Sequence, residues 1–518
     1  MKTKILSLLI GFGLLFGACT DWLQVNSPTE FTEDDMFASD EGFHKAMTGI
    51  YLKMADQSLY GAHLTWRMIE YFGHSYHQQS GSNEYQMHFH NYTHSAVAGP
   101  IENAWNGLYR LIATCNNILE QVEAKKGELH ECNYQLIKGE TMALRSYFYL
   151  DLLRMFGYGN LRNRPEVMNK LTIPYVTEFT KDITVQKTYA ETIKMLKKDL
   201  QTAIDLLWGV DGMNNGFVAG MKGTDADNDR LYEASGTSYY FWQFNSYDDK
   251  PRMDYFGARA TMARLLMWEG TDAGYEEAAK IAEEWILAGE DDVYDTWDWV
   301  SKSTMTQSDE KKRDRTFSRE HIWHLRVTGL YEVIGDWLDC TSPNSTYHRV
   351  FLNQQMAYDI FEYESGNNTA LSDVRYVYNL TPQGSNLSNY KVDKLEQYEG
   401  ETSFPDMIPM INTVEMYYIA AEVYLQQGNK TLALERLNKV RQQRGITEDL
   451  PESLSDAEVK AEILKEYRKS FLSEGQLFYL YKRWGEKTVA GYAQEMSDKQ
   501  YVLPYPESEI INGGRVQE

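Results

Sequence analysis

Cysteine is scarce in this chain, and positive charge is in deficit. Only four cysteines occur among 518 residues: Cys19, Cys115, Cys132 and Cys340. Cys19 has a separate role, described below. The three that remain are an odd number, which speaks against a disulfide framework. A bridge between Cys115 and Cys132 is compatible with the sequence, but buried free thiols are the expected state. Basic residues number 51 against 75 acidic ones, a formal net charge of −24. Nucleic-acid binders carry a basic footprint, so this balance argues against a nucleic-acid partner. There is no zinc-spaced Cys/His set, and no nucleophile elbow, zinc-protease or P-loop signature. Past the N-terminus, no segment is apolar enough to cross a bilayer.

Aromatic residues, by contrast, are plentiful. They make up 13% of the chain, with 37 tyrosines and 12 tryptophans. Each Tyr or Trp joins an apolar ring to a polar tip, which suits half-wet binding surfaces as well as core edges. Most of them are expected to pack helices together. A hydrophobic fraction of 43% and a charged fraction of 24% are ordinary for a globular protein with a large core. The acidic surface fits an exposed protein with a neutral ligand.

The N-terminus has the form of a targeting device. Lys2 and Lys4 precede an apolar stretch from Ile5 to Phe16, too short to span a membrane as a helix. Gly17 and Ala18 then lead to Cys19, as in a bacterial lipobox. The expected organisation is a signal peptide over 1–18, a lipidated leash over 19–33, and one domain over 34–518. That domain has an N-terminal part of about 34–210 and a C-terminal part of about 251–518. Several acyl chains on Cys19, at about 0.8 kcal/mol per buried CH₂, would tether the protein durably to a membrane.

Helical spacing recurs along the rest of the chain. A helix is expected to begin near Ser39, its N-cap. Others run from Trp105 to Leu119, from about Tyr134 to Phe156, and from about Thr188 to Leu207. Two segments share one pattern. Ala263 lies seven residues before Gly270, with Ala278, Ala282 and Ile286 beyond it; Ala421 lies seven residues before Gly428, with Ala433, Leu437 and Val440 beyond it. Both predict helix, tight turn, helix, as in tetratricopeptide-type pairs that stack to bury their apolar faces. Residues 73–100 show no sustained period and read as a long irregular surface loop. A second irregular stretch, 209–252, carries Asp225, Asp227 and Asp229. Their spacing matches the start of a calcium loop, but the glycine and distal glutamate of that motif are missing, so a solvated loop is preferred over a structural calcium site. No other cofactor is implied.

Several stretches together resemble the SusD-like (RagB/SusD) family of nutrient-binding outer-membrane lipoproteins. One is the post-cysteine start, Cys19-Thr20-Asp21-Trp22-Leu23. Another is Trp105-x-x-x-Tyr109 with Asn116-Asn117, Ala143-x-Arg145-x-Tyr147-x-Tyr149 and Phe156-Gly157. A third is Glu415-Met416-Tyr417-Tyr418 through Ala421-Glu422, Gly428-Asn429 and Leu437-Asn438-Lys439-Val440-Arg441. The last is Glu474-Gly475, Lys482-Arg483-Trp484-Gly485 and Pro504-x-Pro506-x-x-Glu509, with Asp373-x-Arg375 as a shorter match. Two departures occur: Asn412 stands where the family usually has Arg, and Gly159-Asn160-Leu161 replaces Val-Pro-Leu. The resemblance implies a mainly α, SusD-like fold with tetratricopeptide-like helix pairs as scaffold and long ligand-binding loops. It also implies capture of an oligosaccharide or polysaccharide without cleavage. The partner would be a SusC-like TonB-dependent transporter, with the protein lipid-anchored on the outer membrane and facing outward.

A neutral glycan presents C–H faces and hydroxyl edges, which flat rings and amide, guanidinium or carboxylate groups match. Chosen by position and chemistry, the candidate ligand residues are Tyr76, Asn83, Tyr85 and Tyr92 in the first loop, with Gln79 and His90 beside them. In the middle of the chain they are Arg326, Tyr331, Trp337 and Tyr347, with Asn344. Two alternatives remain open: a peptide-capturing relative, and an all-helical glycoside hydrolase, which would need two opposed carboxylates.

Overall fold

The computed structural model describes residues 33–517, except 79, 209, 211–249, 290–295, 339–349, 365–368, 384–387 and 401–402. Cys19, the Asp225–Asp229 run, Cys340, Asn344 and Tyr347 therefore lie outside the described residues, as does Gln79.

Helix α1, Asp40–Met54, starts where the N-cap signal places it: the Ser39 hydroxyl accepts from the Gly42 amide. Its Phe43, Met47, Ile50 and Met54 repeat at helical spacing and are buried. Helix α2, Ser95–Ala124, starts ten residues before the expected Trp105. His94 caps it by accepting from the Ala96 amide, and Pro100 sits inside it, so one backbone bond is forgone. Helix α3, Glu131–Phe156, is buried on nearly every side and is the central post. It packs between α2 and α4, Tyr189–Trp208. Where α3 meets α4, Gly139 admits the Leu207 side chain, which a Cβ would meet at 2.8 Å.

Both expected helix pairs are present. Helices α5, Tyr255–Glu269, and α6, Asp272–Gly289, turn at Gly270 with φ 74°. Helices α7, Thr413–Gln426, and α8, Lys430–Gln443, turn at Gly428 with φ 76°. Both turns use the left-handed region that glycine enters without strain. Helix α7 packs against α6, with α9, Asp456–Ser470, behind it. Asn412, the departure from the family pattern, caps α7 by accepting from the Val414 amide at 3.4 Å.

Among the described residues there are also three small antiparallel sheets, not expected from the sequence. Strand β1, Leu171–Pro174, pairs with β2, Gln186–Thr188. Strand β3, His321–Arg326, pairs with β7, Met407–Asn412, and nearly all of both is buried. The third sheet has the order β4 (Phe351–Asn353), β6 (Asn389–Val392), β5 (Leu380–Gln383). One apolar core runs through the helices from Phe37 to Tyr505. Neither Cys115 nor Cys132 is in a disulfide, and burial pushes the Cys115 thiol up to about 12.

Buried charges tie these elements together. Arg264 on α5 grips Glu415 on α7 with two bonds of 2.7 Å, and donates to the Met410 carbonyl of β7 at 2.8 Å. Its remaining nitrogen lies 3.4 Å from the Tyr147 hydroxyl on α3. Arg375 is met by Asp373 at 2.7 Å, Glu466 at 2.9 Å and the Ser470 hydroxyl at 2.7 Å. Arg444 pairs with Glu320, and Arg252 pairs with Glu140 at 2.6 Å. An arginine left alone in such a place would be severely penalised.

Residues 73–100 correct the surface-loop expectation. A short helix, Asn83–His88, forms there, and much of the segment is buried. Three histidines share ring protons in a line: His88 Nδ1 to His74 Nδ1 at 3.1 Å, His74 Nε2 to His90 Nε2 at 3.2 Å, and His90 Nδ1 to the Tyr92 hydroxyl at 3.0 Å. The Tyr92 hydroxyl donates to the Gln500 carbonyl. That last bond orients the rest: Tyr92 accepts from His90, neutral His90 accepts from His74, and His74 accepts from His88. Polar backbone and rings are thus satisfied inside, and burial is affordable.

Two measurements test this packing. Arg264→Ala is expected to lower stability by about 3–5 kcal/mol in chemical denaturation, and Arg264→Met with Glu415→Leu to cost less than either single change; equal, small losses would show the pair to be incidental. The second concerns pH. Burial pushes His88 down to about 4 and His90 to about 3, while an unfolded histidine titrates near 6.5. Between pH 6.5 and 4 the unfolded chain takes up protons that the folded chain refuses. The stability these groups contribute is full above 6.5 and is lost as pH falls toward 4. Buried Glu70, raised to about 7, acts in the opposite sense but equally in both proteins compared. Urea midpoints at pH 7, 6 and 5 should fall less steeply in His88→Gln, by about one proton or ~1.4 kcal/mol per pH unit. Parallel slopes would count against the ordered chain.

Candidate functional site

Three separated stretches meet on one face. Helix Leu330–Leu338 lays Trp337 against the segment that follows α1. The Trp337 ring meets Trp66 edge-on at 5.7 Å, and the Arg67 guanidinium lies over it, 3.7 Å from the ring centroid. That stacking holds a planar cation on an aromatic face. Arg67 in turn reaches the Glu84 carboxylate at 3.8 Å. Glu84 belongs to the short helix Asn83–His88, capped by Ser82, whose hydroxyl accepts from the Tyr85 amide at 3.0 Å. The third stretch is β4: the His77 amide donates to the Phe351 carbonyl at 2.9 Å, and the His77 ring meets the Asn353 side chain at 3.0 Å.

The expected ligand residues divide on this frame. Asn83 is exposed, and Tyr85 is half-buried beside Phe89, with ring centroids 4.6 Å apart. Both stand next to the Arg67–Glu84 pair. Tyr331 lies on the same helix as Trp337, half-buried, with its hydroxyl on Glu332 at 3.0 Å. Arg326, at the end of β3, donates to the Pro405 carbonyl at 3.3 Å. Two residues correct the expectation of an open ring. Tyr76 is 0% exposed, its hydroxyl 2.7 Å from Ser473 and its ring edge-on to Tyr71. Trp337 is 6% exposed, because Trp66 and Arg67 cover it. Tyr92 is half-buried and spends its hydroxyl on Gln500. His90 is part of the histidine line.

Arg67 was missed in the sequence, where nothing distinguishes it from any other surface arginine. Its importance comes from a ring 270 positions away. What the face offers is a guanidinium fork, the exposed Asn83 amide and half-buried rings, while the Glu84 carboxylate is itself buried and serves to hold Arg67. These are hydrogen-bonding edges and apolar faces, the groups that orient a polyhydroxylated molecule.

The sequence motifs do other work. Arg145 pairs with Asp199 at 2.5 Å and donates to Asn116 at 2.8 Å. Asn116, Tyr109 and Tyr149 then hold the chain after β1: Asn116 donates to the Val176 carbonyl at 3.1 Å, Tyr109 to the Pro174 carbonyl at 2.9 Å, and Tyr149 to the Val176 carbonyl at 2.8 Å. Lys482 caps α3, donating to the carbonyls of Arg154 at 2.6 Å and Met155 at 3.0 Å. Arg483 grips Glu422 with two bonds of 2.6 Å. Trp105 is buried at the foot of α2. All of these are scaffold.

Comparison with known proteins agrees with that scaffold. Residues 21–210 match a family described as starch-binding and associating with the outer membrane, and residues 347–513 match the SusD family. No curated protein matches the chain. Solved structures of similar fold include a SusD-like carbohydrate binding protein from Bacteroides vulgatus, 16% identical, covering 92% of this chain and 97% of its own, with a TM-score of 0.66. A SusD superfamily protein from Bacteroides thetaiotaomicron is 17% identical, covering 91% and 96%, also at 0.66. A SusD homolog from the same species is 17% identical, covering 92% and 94%, at 0.62. The two family matches together span more than half of the chain, with the motifs of α2, α3, α7 and α8 in place, and the chain belongs to the SusD-like family.

Proposed function

We propose that this protein captures a glycan at the face built around Arg67, Asn83, Glu84, Tyr85 and Tyr331, and hands it to a SusC-like TonB-dependent transporter without cleaving it. The observation that carries the reading is the meeting of three loop-bearing stretches around the Arg67–Trp337 stack, in a chain whose family is described as starch-binding and outer-membrane-associated. The buried Trp337 ring acts beneath the surface. It fixes the Arg67 plane, so the guanidinium is presented in one orientation and loses little freedom on binding.

The tether belongs to the same proposal. Among the described residues no helix is long and apolar enough to cross a membrane. Acylation of Cys19 would place the body at the outer membrane surface, beside a transporter. The scaffold, with its tetratricopeptide-like pairs, would then hold the face at a set distance from the anchor.

With an open face and few stacked rings, affinity is expected in the micromolar-to-millimolar range, about −8 to −4 kcal/mol. Calorimetry over a broad panel of oligosaccharides should find at least one ligand, and Arg67→Ala should weaken it about tenfold. Heat with peptides and none with any sugar would select a peptide-capturing protein instead, and release of new reducing ends would select a hydrolase. For the tether, mass spectrometry of the membrane-bound protein should find acylated Cys19, and Cys19→Ser should move the protein to the soluble fraction. An unmodified cysteine in the membrane fraction would refute the anchor.

A further inference from the structure

Among the described residues most aromatic clusters are sealed in the core, but a group of four tyrosines reaches the surface. Tyr358 lies on the helix Gln354–Phe361, Tyr363 just beyond it, Tyr376 on the short helix Val374–Asn379 and Tyr390 on β6. Three of them are half-exposed, while Tyr390 forms the floor. Tyr358 and Tyr363 have ring centroids 4.4 Å apart, Tyr363 stacks near Tyr376 at 5.8 Å and 23°, and Tyr376 lies 6.1 Å from Tyr390. The Tyr376 and Tyr390 hydroxyls are 3.4 Å apart, and Gln354 donates to the Tyr358 hydroxyl at 3.0 Å.

The cluster is held in shape at some cost. The helix Gln354–Phe361 ends on Glu362 in the left-handed region, φ 58°, a conformation that a non-glycine residue keeps only when its surroundings hold it there. This cap folds Tyr363 back beside Tyr358. Two lysines of α9 pin it: Lys465 on one carboxylate oxygen at 2.8 Å and Lys469 on the other at 2.6 Å. Half-exposed rings that stand together at the surface, rather than singly, mark a candidate binding surface.

This surface is separate from the first face. In the third sheet Asn353 pairs with Asn389, and the Asn353 side chain reaches His77, in the segment that joins Arg67 to the short helix Asn83–His88. The next residue, Tyr390, points to the opposite side of the sheet, because successive side chains alternate. The two surfaces therefore lie on opposite faces of one thin sheet.

We infer that the four tyrosines form a second carbohydrate-binding surface, one that takes an extended, neutral, hydroxyl-rich polysaccharide. This rests on the glycan reading of the first face. The rings pack on C–H faces, and the hydroxyls with Gln354 meet the sugar edges. A chain long enough to pass around the sheet engages both surfaces, and the second contact is then intramolecular, so polysaccharide is held more tightly than a short oligosaccharide.

The test uses the whole protein in native gels containing soluble starch, mixed-linkage β-glucan or galactomannan. Wild type should be retarded by at least one of these, and Tyr358→Ala with Tyr363→Ala should lose about fivefold or more in affinity for it. The same probe with hydroxyl-radical footprinting of wild type should suppress oxidation of Tyr358 and Tyr363, a readout that needs no variant to fold. Retardation of wild type with equal retardation of the double variant, or with unchanged oxidation of both tyrosines, overturns the second surface alone. No retardation by any of the three polysaccharides, together with no heat from any oligosaccharide, overturns both surfaces.

Discussion

The Arg264 guanidinium holds four elements at once: the helix that carries it, Glu415 of α7, the Met410 carbonyl of β7 and the Tyr147 hydroxyl of α3. Taking that charge out of water is costly, and the site is tolerable only when every partner is in place. The same rule applies at Arg375, Arg444 and Arg252, each with a carboxylate from a distant part of the chain. Apolar burial draws the helices together, but it is indifferent to small slips of one helix along another. Bidentate pairs are not, and they set the register of the helix pairs against the central post.

A rigid scaffold has a consequence for binding. The face around Arg67 is assembled from stretches far apart in the chain that meet at the Trp66–Trp337–Arg67 stack. Each is anchored separately: helix 330–338 by its apolar side, the first segment by the histidine line and β4 by its sheet. With each support tied into the scaffold, little of the affinity that a few rings supply is consumed in ordering the protein. The motif residues serve this purpose. Tyr109, Asn116, Arg145 and Tyr149 form a clamp on the chain after β1 rather than a sugar shelf.

Particular residues show how far the sequence could be read. The helix from Asp40, the central post and both helix pairs were legible, because their signals are local: an N-cap serine, a repeat of 3.6, a glycine after the last turn. Tyr76 and Trp337 were misplaced. Tyr76 sits in a stretch without period and was assigned to the surface because irregular polar sequence usually is, whereas Trp337 was chosen by position and ring chemistry although it lies on a short amphipathic helix. Their burial depends on partners far along the chain, Ser473 for one, Trp66 and Arg67 for the other. The buried strands β3 and β7 were missed for a related reason. Each is six residues long, and each is covered by helices no local pattern reveals.

By itself, then, the sequence determined the helical character, the start of α1, the central post, the turns of both helix pairs, the family and the acidic charge balance. Those properties follow from backbone hydrogen bonding and side-chain periodicity within a few turns. Only the tertiary structure decided which of the many aromatic and charged side chains stay near water. Exposure is a property of what lies above a residue, and the covering groups here come from up to 400 positions away, as Ser473 does for Tyr76.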